Sequence, residues 1–280
     1  MRFHGIFIAC VFTFISCTAG ELDSAIAAKD LTKVKMILSS NTGVDTSNIG
    51  LDSLLHLAIL KGDVKTAKFF IAMGADVTVK EYINSNNFNI SVLHTASVND
   101  DLDMVKMLVE NGAEIDAADG AGRTALFNAC AIGNLDMVKY LVGHNAAITV
   151  RETVNGTYII HEACYWDNID VVKYLLYVGI NKNLKDFKGN TPFKYAVKGE
   201  NLDIVKLLVG SGVEIDAISP DEGSIFHGLE DLELVKYLVS LGLNPGLEDA
   251  NGETPLQIAI EAGNDDVAEY LKGLPADTGK

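Results

Sequence analysis

The histidines are the residues whose type could most readily support metal binding or acid–base catalysis in this chain. Imidazole is a common metal ligand and a frequent general base near neutral pH. Two of the six stand apart, His4 near the N-terminus and His144 in a predicted turn. The other four occupy one position of a recurring segment: His56, His94, His161 and His227. No HExxH, paired-cysteine zinc spacing, glycine-rich phosphate loop or GxSxG is present, so we predict no catalytic residue, cofactor or metal.

Two of the four cysteines fall at equivalent places in neighbouring copies of that segment. Cys130 and Cys164 each follow the start of their copy by six residues. Equivalent residues of packed helices lie about 8–10 Å apart, whereas a disulfide needs Cα atoms within about 7 Å. Neither cysteine has a base beside it that would make it a nucleophile. The two are therefore predicted to be buried free thiols.

Composition and charge narrow the classes of protein that the sequence can encode. The chain has 280 residues, of which 48% are hydrophobic, so it has enough apolar material for a core. Its 22 basic and 38 acidic residues give a net charge of −16. A surface this negative repels phosphate backbones and anionic lipids, which argues against nucleic-acid binding and membrane-surface docking. We expect a protein partner that is neutral to basic.

The segment 1–20 has the order of regions that is typical of a secretory signal. Arg2 precedes an apolar run from Ile6 to Ile15, small residues follow, and polar sequence begins at Glu21. The run is too short to span a membrane, which takes about 20 apolar residues. We expect residues 1–20 to be removed from an exported protein that is periplasmic, secreted or anchored at the cell envelope. The alternative is that they form a buried first helix.

The sequence alone leaves two alternatives for how this segment is processed. The small residues 17–19 fit a cleavage site that releases a soluble protein. Alternatively, Phe14-Ile15-Ser16-Cys17 resembles a loose bacterial lipobox, in which Cys17 is lipidated and becomes the new N-terminus. The soluble form is slightly favoured because Phe14 stands where a lipobox has an aliphatic residue. The chain has nineteen lysines and three arginines, a ratio that points weakly to a bacterial source.

The chain after residue 20 is built from one repeated unit. A Val or Ala inside an apolar run recurs at a nearly regular interval: Val34, Ala67, Val105, Val138, Val172, Val205, Val235 and Ala268. A second motif precedes this residue at a constant distance in most copies. It reads SLLHLA from Ser53, SVLHTA from Ser91, TALFNA from Thr124, YIIHEA from Tyr158, TPFKYA from Thr191, SIFH from Ser224 and TPLQIA from Thr254.

A period of about 33 residues with this motif resembles the ankyrin repeat, whose consensus contains T-P-L-H-x-A. The segments 74–77, 112–116 and 212–216 resemble the G-A-D-V-N ending of that family. The resemblance implies an all-α ankyrin-repeat helical solenoid with β-turn or hairpin finger loops. It also implies a non-catalytic function in protein–protein interaction, and motif histidines that hydrogen-bond between neighbouring loops.

The motifs divide residues 21–280 into copies. These are an N-terminal capping half-repeat at 21–50, repeats at about 51–83, 89–121, 122–155, 156–188, 189–221 and 222–250, and a C-terminal cap at 251–280. Ser or Thr before the first helix of a copy acts as N-cap, and Pro at the next position suits the first helical turn. The helices are too short to be stable alone, so each copy depends on its neighbours.

Two copies depart from the regular length. The longest interval, from Ala67 to Val105, places an enlarged finger loop at 79–90, which contains Tyr82 and Phe88. The shortest interval removes about one turn from the first helix of residues 222–250, where Gly228 replaces an apolar residue; we call this segment the short copy. We expect the short copy to be the weak point of the stack. The last copy carries several acidic residues and is predicted to be a polar cap.

Partner-binding residues are expected at the fingertips and at the exposed ends of the first helices, the contact positions that the resemblance implies. Aromatic residues and arginine are the usual anchors of interfaces. Trp166 is the only tryptophan and lies where other copies carry Lys61, Asn99 or Gly199. The alternative is that Tyr165 and Trp166 fill a packing gap. The candidates are Phe88, Asn99, Arg123, Ile132, Tyr158, Tyr165, Trp166, Phe187, Lys188 and Lys198.

Three functions are open on the sequence alone. The first is an exported, non-catalytic interaction module, a monomer that binds a protein partner through its concave finger and inner-helix surface. The second is a secreted or lipid-anchored inhibitor or protective partner of a specific enzyme. The third is an enzyme, which would need a catalytic constellation that the sequence does not show.

Overall fold

A computed structural model describes residues 20–39, 50–83, 88–215, 218–219 and 223–275. The predicted signal segment up to residue 19, with the candidate lipidation site Cys17, lies outside these residues. Within the described ranges, no helix is long and apolar enough to cross a membrane.

The described residues form fifteen short α-helices and four β-strands, which confirms the mainly helical fold. The helices are α1 (Gly20–Ala27), α2 (Leu31–Ser39), α3 (Leu51–Leu60), α4 (Val64–Ala72), α5 (Val92–Val98), α6 (Leu102–Glu110), α7 (Ala125–Ile132), α8 (Leu135–Gly143), α9 (Ile159–Tyr165), α10 (Ile169–Tyr177), α11 (Pro192–Lys198), α12 (Leu202–Gly210), α13 (Leu232–Ser240), α14 (Pro255–Glu261) and α15 (Asp265–Lys272). The strands form two antiparallel pairs: β1 (Lys80–Ile83) with β2 (Phe88–Ser91), and β3 (Ile218–Ser219) with β4 (Gly223–Ser224).

The chain divides into two compact units. Unit 1 comprises the described residues of 1–129 and 136–147, and unit 2 comprises those of 130–135 and 148–280. Within unit 1, α3 packs against α4 and α5, and α5 packs against α6. Within unit 2, α9 packs against α10 and α11, and α11 packs against α12. A first helix therefore contacts its own second helix and the first helix of the next copy, as expected of a repeat array.

The helices begin at the capping residues that the sequence provides. Thr191 and Thr254 precede a proline at the first helical position, and each side chain accepts a hydrogen bond from the backbone N–H three residues further on. Asp63 caps the second helix α4 in the same way, at 3.2 Å from the backbone N of Thr66. The turn after α9 takes a left-handed backbone at Asp167, with φ of 59°, where a glycine is usual.

Apolar residues at fixed positions of the helices form the core of each unit. The second helices bury residues spaced i, i+1 and i+4, such as Met104, Val105 and Leu108 of α6. Helices of 7–10 residues are marginal alone, so this burial is what stabilises them. Cys130 and Cys164 lie fully buried in this core as free thiols, as predicted, and burial raises the pKa of both.

The motif histidines hydrogen-bond between copies, as the resemblance implies. Nε2 lies 2.7–3.2 Å from a backbone carbonyl oxygen of the following copy in His94, His161 and His227. Nε2 of His56 lies 3.1 Å from Oγ1 of Thr95. Nδ1 of His161 also accepts a hydrogen bond from the backbone N–H of Tyr158 at 3.0 Å. Burial lowers the pKa of His56 and of His161 to about 4, which keeps both rings neutral at neutral pH.

The structures of the two irregular copies reflect their lengths. The enlarged finger is an antiparallel hairpin in which Lys80 pairs with Ser91 and Ile83 with Phe88. In the short copy, residues 225–228 form a turn where the other copies have a first helix of at least seven residues. The sequence predicts a helix shortened by about one turn, whereas the described residues before α13 form no α-helix. The acidic residues of the last copy are exposed: Glu261, Asp265, Asp266 and Glu269.

Candidate partner-binding surface

Unit 2 contains a continuous row of seven side chains joined by ring and cation–π contacts. In order they are Trp166, Tyr165, Tyr195, His161, Tyr158, Arg151 and Phe187. We call this set the aromatic row. The first helices α9 and α11 position its middle and one end, and the finger loops 151–158 and 184–190 position the other end.

One end of the aromatic row lies at the C-terminal end of α9. The rings of Trp166 and Tyr165 meet edge to face, with centroids 5.0 Å apart. Tyr165 contacts Tyr195 at 6.4 Å, and Tyr195 contacts His161 at 4.8 Å, both again edge to face. Such pairs contribute about 0.5–1.5 kcal/mol each beyond the area that they bury. Nε1 of Trp166 donates to Oε2 of Glu162 at 3.2 Å, which orients the indole.

Arg151 holds the other end of the row. Its guanidinium lies 5.6 Å from the ring centroid of Tyr158 and 4.0 Å from that of Phe187. Its Nε donates to the carbonyl oxygen of Gly156 at 3.1 Å. Gly156 has a φ of 78°, and a Cβ there would lie 2.7 Å from the Phe187 ring, so the position requires glycine. The finger 151–158 is thereby shaped to place a cation against two aromatic faces.

Two buried carboxylates shape the fingers from within. Glu152 accepts hydrogen bonds from three backbone N–H groups of the finger 151–158. Asp186 accepts from two backbone N–H groups of the finger 184–190 and from the hydroxyl of Tyr195 at 2.9 Å. Burial acts to raise the pKa of Asp186, but hydrogen bonds from Asn190 and Tyr195 outweigh it and lower that pKa. Burial and the hydrogen bond to Asp186 raise the pKa of Tyr195, which therefore remains a neutral donor.

The aromatic row is buried in the middle and exposed at its ends. His161 is fully buried and Tyr195 is half-buried. By contrast, the exposed fraction is 42% for Trp166, 40% for Tyr165 and 57% for Phe187. Aromatic side chains that are exposed but held in place lose little conformational freedom when a partner binds. This combination is typical of interface anchors.

The segment that supplies Tyr195 and Phe187 to the row is locally basic. Residues 182–198 contain five lysines and a single acidic residue, Asp186, although the whole chain has a net charge of −16. Lys188 lies exposed on the finger 184–190, and Lys198 lies exposed at the end of α11. Lys194 occupies the motif position of the histidines and is buried. Positive charge is therefore concentrated beside Phe187, whereas Trp166 contacts the carboxylate of Glu162 and is followed by Asp167.

The structure brings four of the ten predicted contact residues together in the aromatic row: Tyr158, Tyr165, Trp166 and Phe187. Lys188, Lys198 and Ile132 belong to the same unit, and Ile132 is 43% exposed. Tyr165 and Trp166 are 40% and 42% exposed, and their contact with a partner stays a prediction.

The other three predicted contact residues belong to unit 1. The side-chain amide of Asn99 donates to the carbonyl oxygen of Ile59 at 3.2 Å, so part of its hydrogen-bonding capacity serves the stack. The guanidinium of Arg123 forms an ion pair with Asp119 at 2.8 Å. The backbone of Phe88 lies in β2. Contact with a partner stays a prediction for these residues.

Three members of the row, Arg151, Tyr195 and His161, are not among the predicted contact residues, although His161 is predicted as a structural histidine. Tyr195 stands between the fourth and sixth residues of the repeated motif. That position is half-buried and differs in type from copy to copy: Leu57, Thr95, Asn128, Glu162, Tyr195 and Ile258. A variable, half-buried position inside a regular motif is a signal that could have identified Tyr195. Arg151 has no such signal, because the fingers differ in length.

Helix pairs, capped first helices and finger loops define a repeat protein of the helical solenoid class. Residues 22–119, 93–186 and 155–219 match the family model for ankyrin repeats (3 copies), and residues 224–271 match that for ankyrin repeats (many copies). These matches cover most of the sequence, and the chain belongs to the ankyrin-repeat family. Ankyrin repeats are, in general, non-catalytic modules for protein–protein interaction.

Known proteins share this fold along much of the chain. An ankyrin repeat protein of Rickettsia felis is 28% identical over 266 residues, which cover 91% of this chain and 65% of that protein. The B-cell lymphoma 3 protein homolog of Mus musculus is 29% identical over 215 residues, 74% of this chain and 48% of that protein. The crystal structure of the human ASB11 ankyrin repeat domain superposes with a TM-score of 0.65 at 26% identity, over 79% of this chain and 99% of that chain. This chain thus spans less than two thirds of the length of these two curated relatives.

Proposed function

We propose that the chain is an exported, non-catalytic binding module whose protein partner docks on the aromatic row. The observation that carries this proposal is the exposure of Trp166, Tyr165 and Phe187 on a fixed base. A few aromatic anchors supply most of the binding energy of a typical interface. Capture of one specific enzyme as the partner would refine the function to an inhibitor or protective partner of that enzyme.

Export is proposed from the signal-like order of the segment 1–20. Mass spectrometry of the protein from its native source is expected to find no peptide from this segment. Peptides that contain Met1 or Phe3 would contradict export with cleavage. Incorporation of a labelled fatty acid that is lost in Cys17→Ala would establish the lipid-anchored form, and its absence would establish the soluble form.

The net charge of −16 bears on the partner as a whole. Charges act between separated molecules over about 8 Å at physiological ionic strength, and complementary net charge mainly raises the association rate. We propose that the partner is neutral to basic overall and that added salt slows association. A captured partner with a strongly negative net charge would contradict this proposal. The chain itself is expected to sediment as a monomer.

Truncation of Trp166 tests the binding surface. Affinity capture with residues 21–280 supplies the partner, and Trp166→Ala is expected to weaken its binding by about thirtyfold, or about 2 kcal/mol. The melting curve should change little, because the indole is exposed. Tyr177→Ala is the matched control, since Tyr177 is 86% exposed on α10 and lies outside the row. A sharp fall in melting temperature for Trp166→Ala alone would show that the residue is core and that the surface is wrongly assigned.

A further inference from the structure

Arg151 carries a guanidinium that the aromatic row fixes in place. The residue is exposed at the start of the finger 151–158. Its contacts with the rings of Tyr158 and Phe187, and the hydrogen bond from its Nε to the carbonyl oxygen of Gly156, hold the side chain in one position. Within the part of the chain that the structure describes, neither Nη1 nor Nη2 has a hydrogen-bond or ion-pair partner. These two nitrogens are therefore available to a second molecule.

Arg123 offers a contrast, because its guanidinium is paired inside its own finger. Nε and Nη2 of Arg123 donate to Oδ2 of Asp119 at 2.9 and 2.8 Å. In Arg151 the hydrogen bond of Nε goes to a backbone carbonyl oxygen instead. A guanidinium presents its donors in a rigid planar fork that matches the two oxygens of a carboxylate, and it stays positively charged in proteins. Nη1 and Nη2 of Arg151 thus keep the geometry of such a fork for a carboxylate of another molecule.

The two buried carboxylates of the neighbouring fingers are engaged elsewhere. Glu152 follows Arg151 in the sequence, and its oxygens accept hydrogen bonds from three backbone N–H groups of the finger 151–158. Asp186 accepts from two backbone N–H groups of the finger 184–190 and from the hydroxyl of Tyr195. Both carboxylates therefore stabilise the backbone of the fingers, as buried polar groups usually do, rather than pair with Arg151.

The fingers 151–158 and 184–190 are joined beside the guanidinium. The backbone N–H of Phe187 donates to the carbonyl oxygen of Asn155 at 2.9 Å, and a β-bridge pairs Arg151 with Tyr158. The Phe187 ring is 57% exposed, and its centroid lies 4.0 Å from the guanidinium. This ring offers an apolar surface to the methylene groups of an acidic residue bound at Arg151. Because the guanidinium is already ordered, binding at this place costs little conformational freedom.

We propose that Arg151 binds the carboxylate of an aspartate or glutamate side chain of the protein partner. The inference rests on the proposed function, because it names the chemistry that docks at the Phe187 end of the aromatic row. It agrees with a partner that is neutral to basic overall, since net charge acts at long range and Arg151 contacts a single group.

The surroundings of Arg151 favour an acidic side chain over other anions. A monoanion balances the single charge of the guanidinium, whereas the net charge of −16 disfavours a doubly charged phosphate. Capture of a chain end uses a cradle of backbone N–H groups, and Glu152 already occupies three of these groups in the finger 151–158. The guanidinium is therefore suited to a side-chain carboxylate.

NMR titration of the full chain with small molecules tests the site directly. Aspartate blocked at both backbone ends is the probe, and asparagine blocked in the same way is its neutral isostere. The chain has only three arginines, so the Nε–H signal of Arg151 is readily followed, and that of Arg123, which is paired with Asp119, is the internal reference. At constant ionic strength, blocked aspartate is expected to shift the Arg151 signal saturably, with a Kd on the order of 10–100 mM, and to leave the Arg123 signal in place.

Three outcomes of this titration would overturn the proposal. The first is no saturable shift of the Arg151 signal with blocked aspartate. The second is an equal shift with blocked asparagine, or an equal shift of the Arg123 signal. The third is tighter binding of N-acetylglycine, which represents a chain end, or of inorganic phosphate, because either would assign the site to a different anion.

Variants of Arg151 extend the test to the captured partner. Arg151→Met removes the charge and keeps an apolar stem, so partner binding is expected to weaken about tenfold. Arg151→Lys keeps the charge without the planar fork and is expected to restore only part of the affinity. Lys173→Met makes the same charge change on α10, where Lys173 pairs with Asp170 at 3.2 Å, and should leave partner binding unchanged. Equal weakening by Arg151→Met and Lys173→Met would show a general charge effect and overturn the proposal.

Comparison with Trp166→Ala separates this inference from the proposed function. If Trp166→Ala weakens partner binding and Arg151→Met does not, the inference is wrong and the proposed function stands. If neither substitution weakens binding, the proposed function is wrong as well. Where melting curves show that Arg151→Met disturbs the fold, the titration of the unaltered chain with blocked aspartate decides the proposal.

Discussion

The repeat that contains α9 and the short copy start from similar motifs and have different structures. In the first, YIIH opens a seven-residue helix, and His161 is fully buried with a donor on one side and acceptors on the other. In the second, SIFH leads into a turn, and His227 is half-buried and faces two carbonyl oxygens. Residues at the regular motif positions stabilise the stack of repeats. Where a copy departs from the motif, equivalent side chains have different burial and different hydrogen-bond partners.

Alanine substitution of the two histidines should give the largest difference in stability between these two copies. His161→Ala leaves the part-buried backbone N–H of Tyr158 without its acceptor, at a cost of about 1–3 kcal/mol, and opens a cavity in the core, whereas the carbonyl oxygen of Asn190 keeps the N–H of Asp186 as donor at 3.0 Å. We expect His161→Ala to lower the free energy of unfolding by about 3 kcal/mol, and His227→Ala by about 1 kcal/mol, because water can replace a half-buried ring. Urea unfolding measures both. Equal losses would mean that the short copy is packed as tightly as the complete repeat.

Acidification is expected to destabilise the fold through His56 and His161. Their pKa is about 4 when folded, against about 6.5 in an unfolded chain. Between these values the unfolded chain binds more protons, so stability falls as the pH drops from about 6.5 to about 4 and is constant above that window. Each histidine accounts for a loss of up to about 3 kcal/mol.

Denaturant unfolding across that pH range, with His161→Gln as the comparison, measures this effect. The variant should show a shallower pH dependence, because it lacks one of the three histidines whose pKa is lowered by burial, His56, His94 and His161. Asp186 does not contribute to the change in unfolding free energy in this window, since its lowered pKa affects stability only as the pH falls below about 4. An unchanged slope in His161→Gln would show that other groups dominate.

Local opening should also distinguish the regions. Helices of the complete repeats pack on neighbours at both sides, whereas the short copy offers a turn and a cavity at this place. We expect residues 224–272 to open with a free energy about 2 kcal/mol below that of residues 124–209, as measured by native-state hydrogen exchange. Equal protection of the two segments would refute the view that the short copy is the weak point.

The smallest expected effect concerns the hydroxyl of Tyr195. Tyr195→Phe removes its hydrogen bond to Asp186 and keeps its ring contacts with Tyr165 and His161. We expect a loss of about 1 kcal/mol and a rise in the pKa of Asp186, since that hydrogen bond lowers it. An NMR titration of the carboxylate checks the second point. Tyr177→Phe, which alters an exposed ring outside the row, should change neither quantity.

Much of the fold follows from the spacing of the motifs. Thr191 and Thr254 predict helix starts because a capping oxygen and a following proline act locally. The extra residues at 79–90 predict a longer finger, but the pairing of Ile83 with Phe88 depends on contacts that the repeat pattern does not contain. The short copy loses its α-helix altogether, because a four-residue turn with Gly228 at φ of 77° cannot close successive helical hydrogen bonds.

The candidate surface was less accessible to prediction than the fold. Residue type and position are enough to predict Trp166 and Phe187 as exposed aromatic residues. The contact of Tyr195 with Tyr165 joins two copies, and no pattern within one copy encodes it. Exposure alone also misleads, because Asn99 is exposed while its amide bonds to the preceding copy. Hydrogen bonds between copies decide which exposed residues are available, and these appear only in the structure.

We propose that the exposed end of the aromatic row contacts the partner, and one spectroscopic measurement tests this claim. Trp166 is the only tryptophan in the chain, so fluorotryptophan incorporation gives a single fluorine NMR signal from this position. In the free protein the signal should respond to a change from light to heavy water, because the indole is 42% exposed. Adding the captured partner should shift the signal and abolish the solvent response. A signal that keeps its position and solvent response in the saturated complex would contradict the claim.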